Sequence, residues 1–171
     1  MKTILKNLTP NFLLATVLFV ANTSVADTLI GRVIAIADGD TVTVLDASNT
    51  QFKIRLSGID APEKKMPFGQ KSNEHLSGLV FDKRVTVEYS KKDRYGRTVG
   101  KILFNGVDVN LEQVKAGLAW HYKQYQKEQT PDDRIKYTEA EVFARNKHLG
   151  LWADAEPTPP WDWRHTQKEK Q

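Results

Sequence analysis

Hydrophobic and polar positions alternate along the first half of the chain, after its N-terminal segment, in the manner of β-strands. Thr28–Ala37 and Thr41–Leu45 are rich in apolar and β-branched residues, and Asp38-Gly39 between them favours a hairpin turn. Gln51–Ser57 alternates strictly, so Arg55 is predicted to lie on the face opposite the apolar side chains. The apolar face consists of Phe52, Ile54 and Leu56. This part of the chain therefore predicts three consecutive strands, with Arg55 off the core.

The apolar spacing then changes from that of a strand to that of a helix, and back again. A helix is predicted over Phe68–Asp82, with Phe68, Leu76, Leu79 and Val80 on its apolar face. The strand pattern returns at residues 85–89 and at Thr98–Phe104. Between these two strands lies a polar connection in which Gly96 is predicted to adopt a positive φ, because glycine does so at no steric cost.

Two further helices are predicted in the second half of the chain. Val109–Gly117 has the pattern of a short helix that ends at a glycine. Thr130 supplies a capping hydroxyl directly before Pro131 and two aspartates, which is a strong signal for the start of another helix. The residues predicted to form the buried face of this last helix are Ile135, Val142, Phe143 and Leu149, and Gly150 is predicted to end it.

The N-terminal segment Met1–Ala26 has the features of a secretory signal peptide. Lys2 and Lys6 are followed by the short apolar run 12–21, and a small residue ends the segment at Ala26. A retained membrane anchor is the alternative, but the run is shorter than the roughly 20 residues that span a bilayer. We expect cleavage after Ala26, a secreted or periplasmic location, and no stable membrane association after cleavage.

Length and composition predict one domain and leave the class of partner open. Cleavage would leave residues 27–171, predicted as a domain over 27–152 and a tail over 153–171 whose tryptophans dock and whose end is disordered. The formal net charge of +4 includes two N-terminal lysines, so the remaining chain carries a small positive excess that permits nucleic-acid binding without identifying it. The sequence contains no cysteine, so stability depends on the core and not on disulfides. We expect a monomer.

The order of elements predicts an α+β, mainly β fold. Five strands, with a helix inserted after the third and further helices following, are typical of a small closed barrel of the OB type with about three helices. A face of such a barrel can bind phosphate-bearing ligands. The fold does not by itself establish catalysis.

Five charged residues at strand ends and in connecting loops point to chemistry on phosphodiesters. They are Asp40, Arg55, Asp60, Glu63 and Arg97. Each alone has an ordinary structural explanation, such as the preference of aspartate for turns. Together they supply two acids for a hard cation, a third acid that can take a proton, and two guanidiniums for a developing negative charge. The four histidines have no metal-ligand spacing, which argues against zinc and against a histidine base.

Three motifs resemble those of the staphylococcal-nuclease-like thermonucleases. They are D-G-D-T at Asp38–Thr41, R-L-S-G-I-D-A-P-E at Arg55–Glu63 and D-R-Y-G-R at Asp93–Arg97. The similarity continues through G-L-A at 117–119 and G-L-W at 150–152, so it covers about residues 28–152. The resemblance implies an OB-fold endonuclease that uses one Ca²⁺ per active site, cleaves DNA and RNA with little sequence preference, and leaves 3′-phosphate ends.

The resemblance also implies a role for each charged residue. Asp40 and Asp60 would be metal ligands together with the backbone carbonyl of Ala61, and Glu63 would be the base that acts on the attacking water. Arg55 and Arg97 would bind the scissile phosphate. The founding member has threonine in place of Ala61, which is expected to be harmless because the ligand there is a main-chain carbonyl.

Substrate contacts outside these residues are less closely defined by the resemblance. Arg94 is a further candidate for substrate binding. Tyr122 and Tyr125 are candidates for stacking on a base, which carries no sequence information because every base has a π-face. Core packing is the alternative for either tyrosine. The segment between Ala61 and Phe68 is also shorter than in the founding member, so access to the site is expected to differ.

Two other classes of function compete with a nuclease. A non-catalytic OB module could bind nucleic acid, and a structural Ca²⁺-binding protein would explain the acids. A pure binder has no chemical need for all five charged residues, and a structural calcium protein leaves both arginines without a role. The five residues together therefore favour the enzyme.

Overall fold

A computed structural model describes residues 27–169 of the chain. Met1–Ala26 lies outside the described residues, so the signal peptide and its cleavage stay predictions, as does disorder at the very end of the chain. Within 27–169, no helix is both long enough and apolar enough to cross a membrane.

The strands form a closed barrel. The strands in the described part of the chain are β1 (Asp27–Asp38), β2 (Thr41–Asp46), β3 (Gln51–Leu56), β4 (Ile59–Asp60), β5 (Arg84–Lys92), β6 (Thr98–Phe104), β7 (Val107–Asp108) and β8 (Trp120–His121). The five long strands run in the order β3-β2-β1-β5-β6, and a parallel pairing of β3 with β6 closes the sheet on itself. β4 and β8 form a separate two-stranded ribbon. The predicted five-stranded OB-type α+β fold is confirmed.

Helices cover the barrel and extend beyond the predicted domain. Between residues 27 and 169 the α-helices are α1 (Gly69–Val80), α2 (Val109–Lys115), α3 (Pro131–Asn146) and α4 (Pro160–Lys168), and 3₁₀ turns occur at Lys123–Glu128 and Gly150–Ala153. The first three correspond to the predicted helices. The Thr130 hydroxyl accepts a hydrogen bond from the Asp133 N–H at 3.1 Å, as its capping signal predicts. α4 lies in the segment 153–171 that was predicted as a tail with docking tryptophans, and the sequence did not predict that this segment contains a helix.

The barrel interior is filled by the side chains that the strand pattern places on one face. Ile54 and Leu56 of β3 are fully buried, whereas Arg55 between them lies off this core, as the alternation predicts. Gly96 has a φ of 78°, so the β5–β6 connection uses glycine where the sequence predicts it.

The predicted buried face of α3 was wrong. Ile135, Val142 and Phe143 are 58%, 49% and 53% exposed. Leu149 lies beyond the helix, which ends at Asn146 and not at Gly150. The face that is buried consists of Asp133, Tyr137, Ala140, Glu141 and Ala144.

Polar partners explain this orientation of α3. The Lys101 ammonium donates to Asp133 at 2.6 Å, and the Lys123 ammonium donates to Glu141 at 2.7 Å. The Tyr137 hydroxyl donates to Asp108 at 2.9 Å. Because buried polar groups are tolerated when they are paired, a face with two carboxylates and two alanines can be buried in preference to a more apolar one.

The orientation of α3 predicts how two substitutions change the free energy of unfolding. Ala144→Leu should lower the free energy of unfolding by about 1–3 kcal/mol, because Ala144 is fully buried and the extra atoms overpack the core. Val142→Ala should change it by only about 0.5 kcal/mol, because Val142 is half exposed. Urea unfolding of both variants measures the difference. A larger loss for Val142→Ala than for Ala144→Leu would contradict this orientation.

Candidate active site

The candidate site lies where the β1–β2 turn, the end of β3 and the β4 ribbon meet. Asp40 is in the turn, and its N–H donates to the Asp38 carboxylate at 3.1 Å. Gly39 is closely surrounded, and a side chain there would collide with Ser72 of α1 and with Ala61. The turn sequence Asp38-Gly39-Asp40 therefore holds the Asp40 side chain in one place.

Arg55 is the centre of the charged cluster. One terminal nitrogen of its guanidinium lies 2.8 Å from an oxygen of Asp60 and 3.1 Å from an oxygen of Asp40. The other donates to the backbone carbonyls of Leu56 and Ile59 at 2.8 and 2.9 Å. The Arg55 side chain is only 14% exposed. Four contacts thus fix the guanidinium, and the guanidinium in turn brings Asp40 and Asp60 together.

Asp40 is a buried acid whose ionised form is disfavoured by burial. Its carboxylate accepts hydrogen bonds from the Ala61 N–H at 2.6 Å and from the Thr41 hydroxyl at 3.1 Å. Burial raises the pKa of Asp40 well above its usual range, and Arg55 opposes that rise only in part. A bound cation would add a second positive charge beside the carboxylate and favour its ionised form.

Asp60 and Glu63 differ in their exposure to solvent. Asp60 is in β4, directly opposite Trp120 of β8, and its side chain is 1% exposed. Glu63 follows in the loop before α1, and its side chain is 38% exposed. A buried carboxylate suits a fixed ligand, and a half-exposed one can reach a water molecule.

The donor atoms at this site fit a hard cation. Asp40 and Asp60 offer oxygen only, as would the Ala61 carbonyl that the resemblance implies as a ligand, and such a set suits Ca²⁺ and not zinc. Within residues 27–169, no three acidic or histidine side chains converge closely enough to hold a metal by themselves. A cation would therefore depend on the two aspartates, the backbone carbonyl, and oxygens from water or substrate.

Arg97 lies apart from the carboxylates. Its guanidinium donates to Asp93 in the β5–β6 connection at 2.7 Å, and no ion pair joins it to the other acids among the described residues. The connection is nevertheless close to the site, because Thr98 pairs with Ile54 in the parallel β3–β6 register. Arg97 and the exposed Arg94 both lie against the ring of Tyr95, at 5.5 and 4.8 Å.

Tyr95 is exposed and was not singled out by the sequence. It lies inside the D-R-Y-G-R motif, and that position is the signal for it. Its ring and the two arginines form a basic aromatic edge on the β5–β6 connection.

Tyr122 and Tyr125 form a second aromatic edge next to Asp60. The two rings meet edge to face with centroids 5.2 Å apart, and the Tyr122 N–H donates to the Gly58 carbonyl at 2.9 Å. Burial, and after it the charge of Asp60, raises the pKa of Tyr122. Tyr125 is 45% exposed, and neither ring belongs to the barrel core.

Arg164 of α4 is a second residue that sequence reasoning missed, and it contacts the carboxylates of the candidate site directly. It donates to both Asp60 oxygens, at 2.6 and 3.3 Å, and to Glu63 at 2.9 Å. The sequence signal for its helix is Pro160 at the first position followed by Asp162 in the first turn, the same type of start as in α3.

Comparison with known proteins gives consistent matches. The family model described as "Staphylococcal nuclease homologue" matches residues 53–154. An "Uncharacterized endonuclease" of Haemophilus influenzae is 47% identical over 137 residues, covering 80% of this chain and 74% of the relative. An "Uncharacterized endonuclease" of Escherichia coli is 46% identical, covering 79% and 84%. A "Micrococcal nuclease" of Shigella flexneri is 39% identical, covering 81% and 82%.

An OB-type barrel with this charged cluster and these relatives defines a nuclease, a hydrolase that cleaves phosphodiester bonds. The family model covers more than half of the chain, and the relatives cover most of it. The chain belongs to the staphylococcal nuclease family.

Proposed function

We propose that this protein is a Ca²⁺-dependent endonuclease that cleaves DNA and RNA with little sequence preference and leaves 3′-phosphate ends. The observation that carries the proposal is the convergence of Asp40 and Asp60 on one nitrogen of Arg55, with Glu63 close by. A nucleic-acid binder without catalytic activity has no use for two buried acids beside the phosphate-binding surface.

In this proposal, Arg55 and Arg97 bind the phosphate. Arg55 lies in a fixed position, and its four terminal N–H groups meet two carboxylates and two backbone carbonyls. It would reach a phosphate oxygen through its Nε–H, or through a terminal N–H released when a cation binds the carboxylates. Among residues 27–169, the ion-pair partner of Arg97 is Asp93 alone, and its side chain is a quarter exposed, so it can turn toward a phosphate or the departing oxygen. A guanidinium can give two parallel hydrogen bonds to a phosphate.

Proton transfer falls to Glu63. When bound between Asp40, Asp60 and the Ala61 carbonyl, Ca²⁺ would supply positive charge beside the scissile phosphate. Glu63 would take a proton from a water molecule while the oxygen of that water forms a bond to phosphorus. The bond from phosphorus to the 5′ oxygen breaks, and that oxygen acquires a proton, so the phosphate remains on the 3′ side.

Broad substrate use follows from the kind of contacts available. Charged contacts to phosphate read no sequence, and stacking on Tyr122 or Tyr125 accepts any base. The aromatic edges therefore support binding of unpaired strands of either nucleic acid. We propose that the enzyme acts as a monomer, because the charged cluster is complete within one chain.

Metal dependence is the direct test of this function. We expect purified protein to cleave single- and double-stranded DNA and RNA in Ca²⁺, to lose activity in excess chelator and to recover it when Ca²⁺ is returned. Zn²⁺ should not replace Ca²⁺, because the donors are all oxygen. Mg²⁺ should bind with little turnover, because it demands a tighter octahedral shell. Gel assays measure the metal dependence of cleavage, and analysis of the product ends shows whether the phosphate remains on the 3′ side.

Undiminished cleavage in excess chelator would refute the metal mechanism. Products that carry 5′-phosphates in place of 3′-phosphates would refute the assigned direction of bond breaking. Heat-denatured protein in the same Ca²⁺ buffer controls for contaminating activity.

A further inference from the structure

The helix α4 lies on the candidate active site, although its sequence is remote from every motif. Residues 154–159 connect the Gly150–Ala153 turn to α4, and this connection contains Pro157 and Pro159 and is largely exposed. The helix itself buries only Pro160 completely. α4 is therefore held on the domain by a few specific contacts and not by a broad apolar face.

The first of these contacts occupies the carboxylates. Arg164 engages both oxygens of Asp60 and one oxygen of Glu63, while Arg55 engages Asp60 from the other side. Asp60 is thus bound by two guanidiniums, with neither of its oxygens left without a cationic partner. A divalent cation placed at Asp60 would lie close to the positive charge of Arg164, so cation and arginine compete for the same oxygens.

The second contact occupies the aromatic edge. The Trp161 ring stacks on Tyr122 with centroids 5.3 Å apart and an interplanar angle of 16°, and it meets Trp120 edge to face at 5.5 Å. A nearly parallel indole on Tyr122 has the geometry of a stacked base. Trp161 and Arg164 are three positions apart and therefore lie on one side of the helix.

We propose that α4 is an autoinhibitory segment that imitates both ligands of the site. Its guanidinium takes the position of the cation, and its indole takes the position of a base. The proposal rests on the function proposed above, since it assigns regulation to that same site. Ca²⁺ and nucleic acid displace α4, and the free enzyme is kept at low activity when either is scarce.

An alternative role for Arg164 is that of a positioning residue, which would hold Glu63 and Asp60 in the working geometry. The contacts argue against it. A positioning group would leave open the oxygens that face the cation, whereas Arg164 binds both oxygens of Asp60 and one oxygen of Glu63. The two roles predict opposite effects of Ca²⁺ on α4.

Calorimetric titration of Ca²⁺ into the full chain distinguishes an autoinhibitory role of Arg164 from a positioning role without an activity measurement. If α4 is docked in about nine molecules of ten, Arg164→Ala should bind Ca²⁺ about tenfold more tightly than the parent protein, because apparent affinity scales with the open fraction. Lys168→Ala is the matched control, since it removes the same charge from an exposed position of α4 that forms no ion pair in the described structure. The control should bind Ca²⁺ like the parent.

Hydrogen exchange of the α4 amides supplies an independent measurement. In the parent, Ca²⁺ together with a short single-stranded oligonucleotide should decrease protection over Pro160–Lys168, because linkage between two competing events is reciprocal. In Arg164→Ala, protection should already be low without Ca²⁺. Increased protection of α4 in Ca²⁺ would overturn the proposal and support a positioning role.

The outcomes also separate this proposal from the proposed function. If the parent binds Ca²⁺ and cleaves, but Arg164→Ala has the same Ca²⁺ affinity as Lys168→Ala, the autoinhibitory role is wrong and the nuclease mechanism stands. If neither the parent nor Arg164→Ala binds Ca²⁺, the proposed metal-dependent function fails, and the competition between cation and Arg164 fails with it.

Discussion

Replacing Glu63 with glutamine is expected to lower kcat by about 10²–10⁴-fold, the usual contribution of a positioned base. Glutamine keeps the size of the side chain but cannot accept the proton of the attacking water. Binding should persist, because it depends on the arginines and the cation. The measurements are kcat at saturating Ca²⁺ and the Ca²⁺-dependent affinity for a nucleotide inhibitor. The substitution also weakens the contact between Glu63 and Arg164, which could change the Ca²⁺ affinity. Measuring kcat at saturating Ca²⁺ keeps such a change from affecting the result.

Asp40→Asn is the comparison that defines the division of roles. Asp40 is buried beside Arg55 and Asp60, so the loss of its charge should weaken Ca²⁺ binding itself. Added Ca²⁺ should then restore part of the activity, whereas it should restore none in Glu63→Gln. If Glu63→Gln cleaves like the parent protein, Glu63 is not the base and the proposed mechanism is wrong.

Arg55→Lys is expected to remove most activity and also to destabilise the fold. A lysine ammonium is a point donor and cannot reproduce contacts to two carboxylates and two carbonyls at once. The unmatched buried groups should lower the free energy of unfolding by about 1–3 kcal/mol. Thermal or urea unfolding, measured beside kcat/KM, gives both numbers.

Arg97→Lys is the matched variant with a different expected signature. In the described part of the chain, Arg97 forms one ion pair, with Asp93, and is a quarter exposed, so its replacement should reduce kcat/KM strongly with little change in stability. Near-normal turnover in both lysine variants would mean that only positive charge matters at these positions. Equal destabilisation of both would contradict the difference in their surroundings.

The sequence predicts those parts of the fold that depend on local rules. Alternation placed Arg55 off the core, and Gly96 adopts the positive φ that glycine allows. The start of α3 at Pro131 also followed from its capping residue. These features are determined by neighbours within a few positions, so a single sequence contains the information.

The parts that were missed depend on partners remote in the sequence. The buried face of α3 is selected by ion pairs of Asp133 and Glu141 with lysines on other elements, which an apolar pattern does not reveal. Arg164 lies 104 positions from Asp60, and nothing near either residue indicates the contact. Motif spacing brought attention to Asp40, Asp60 and Glu63, but their shared guanidiniums are visible only in three dimensions.

The β4–β8 ribbon has a consequence for how the site is supported. Asp60 pairs with Trp120, whose ring belongs to a small core with Ala144, Leu151 and Trp152 that is separate from the barrel interior. Arg55, in contrast, is carried by β3 within the barrel. Asp60 therefore rests on both cores, because its chain neighbours Ile59 and Ala61 pack in the barrel interior, whereas Arg55 rests on the barrel alone. A sequence change in the small core can shift Asp60 relative to Arg55, so natural variation there can alter the site without replacing any charged residue.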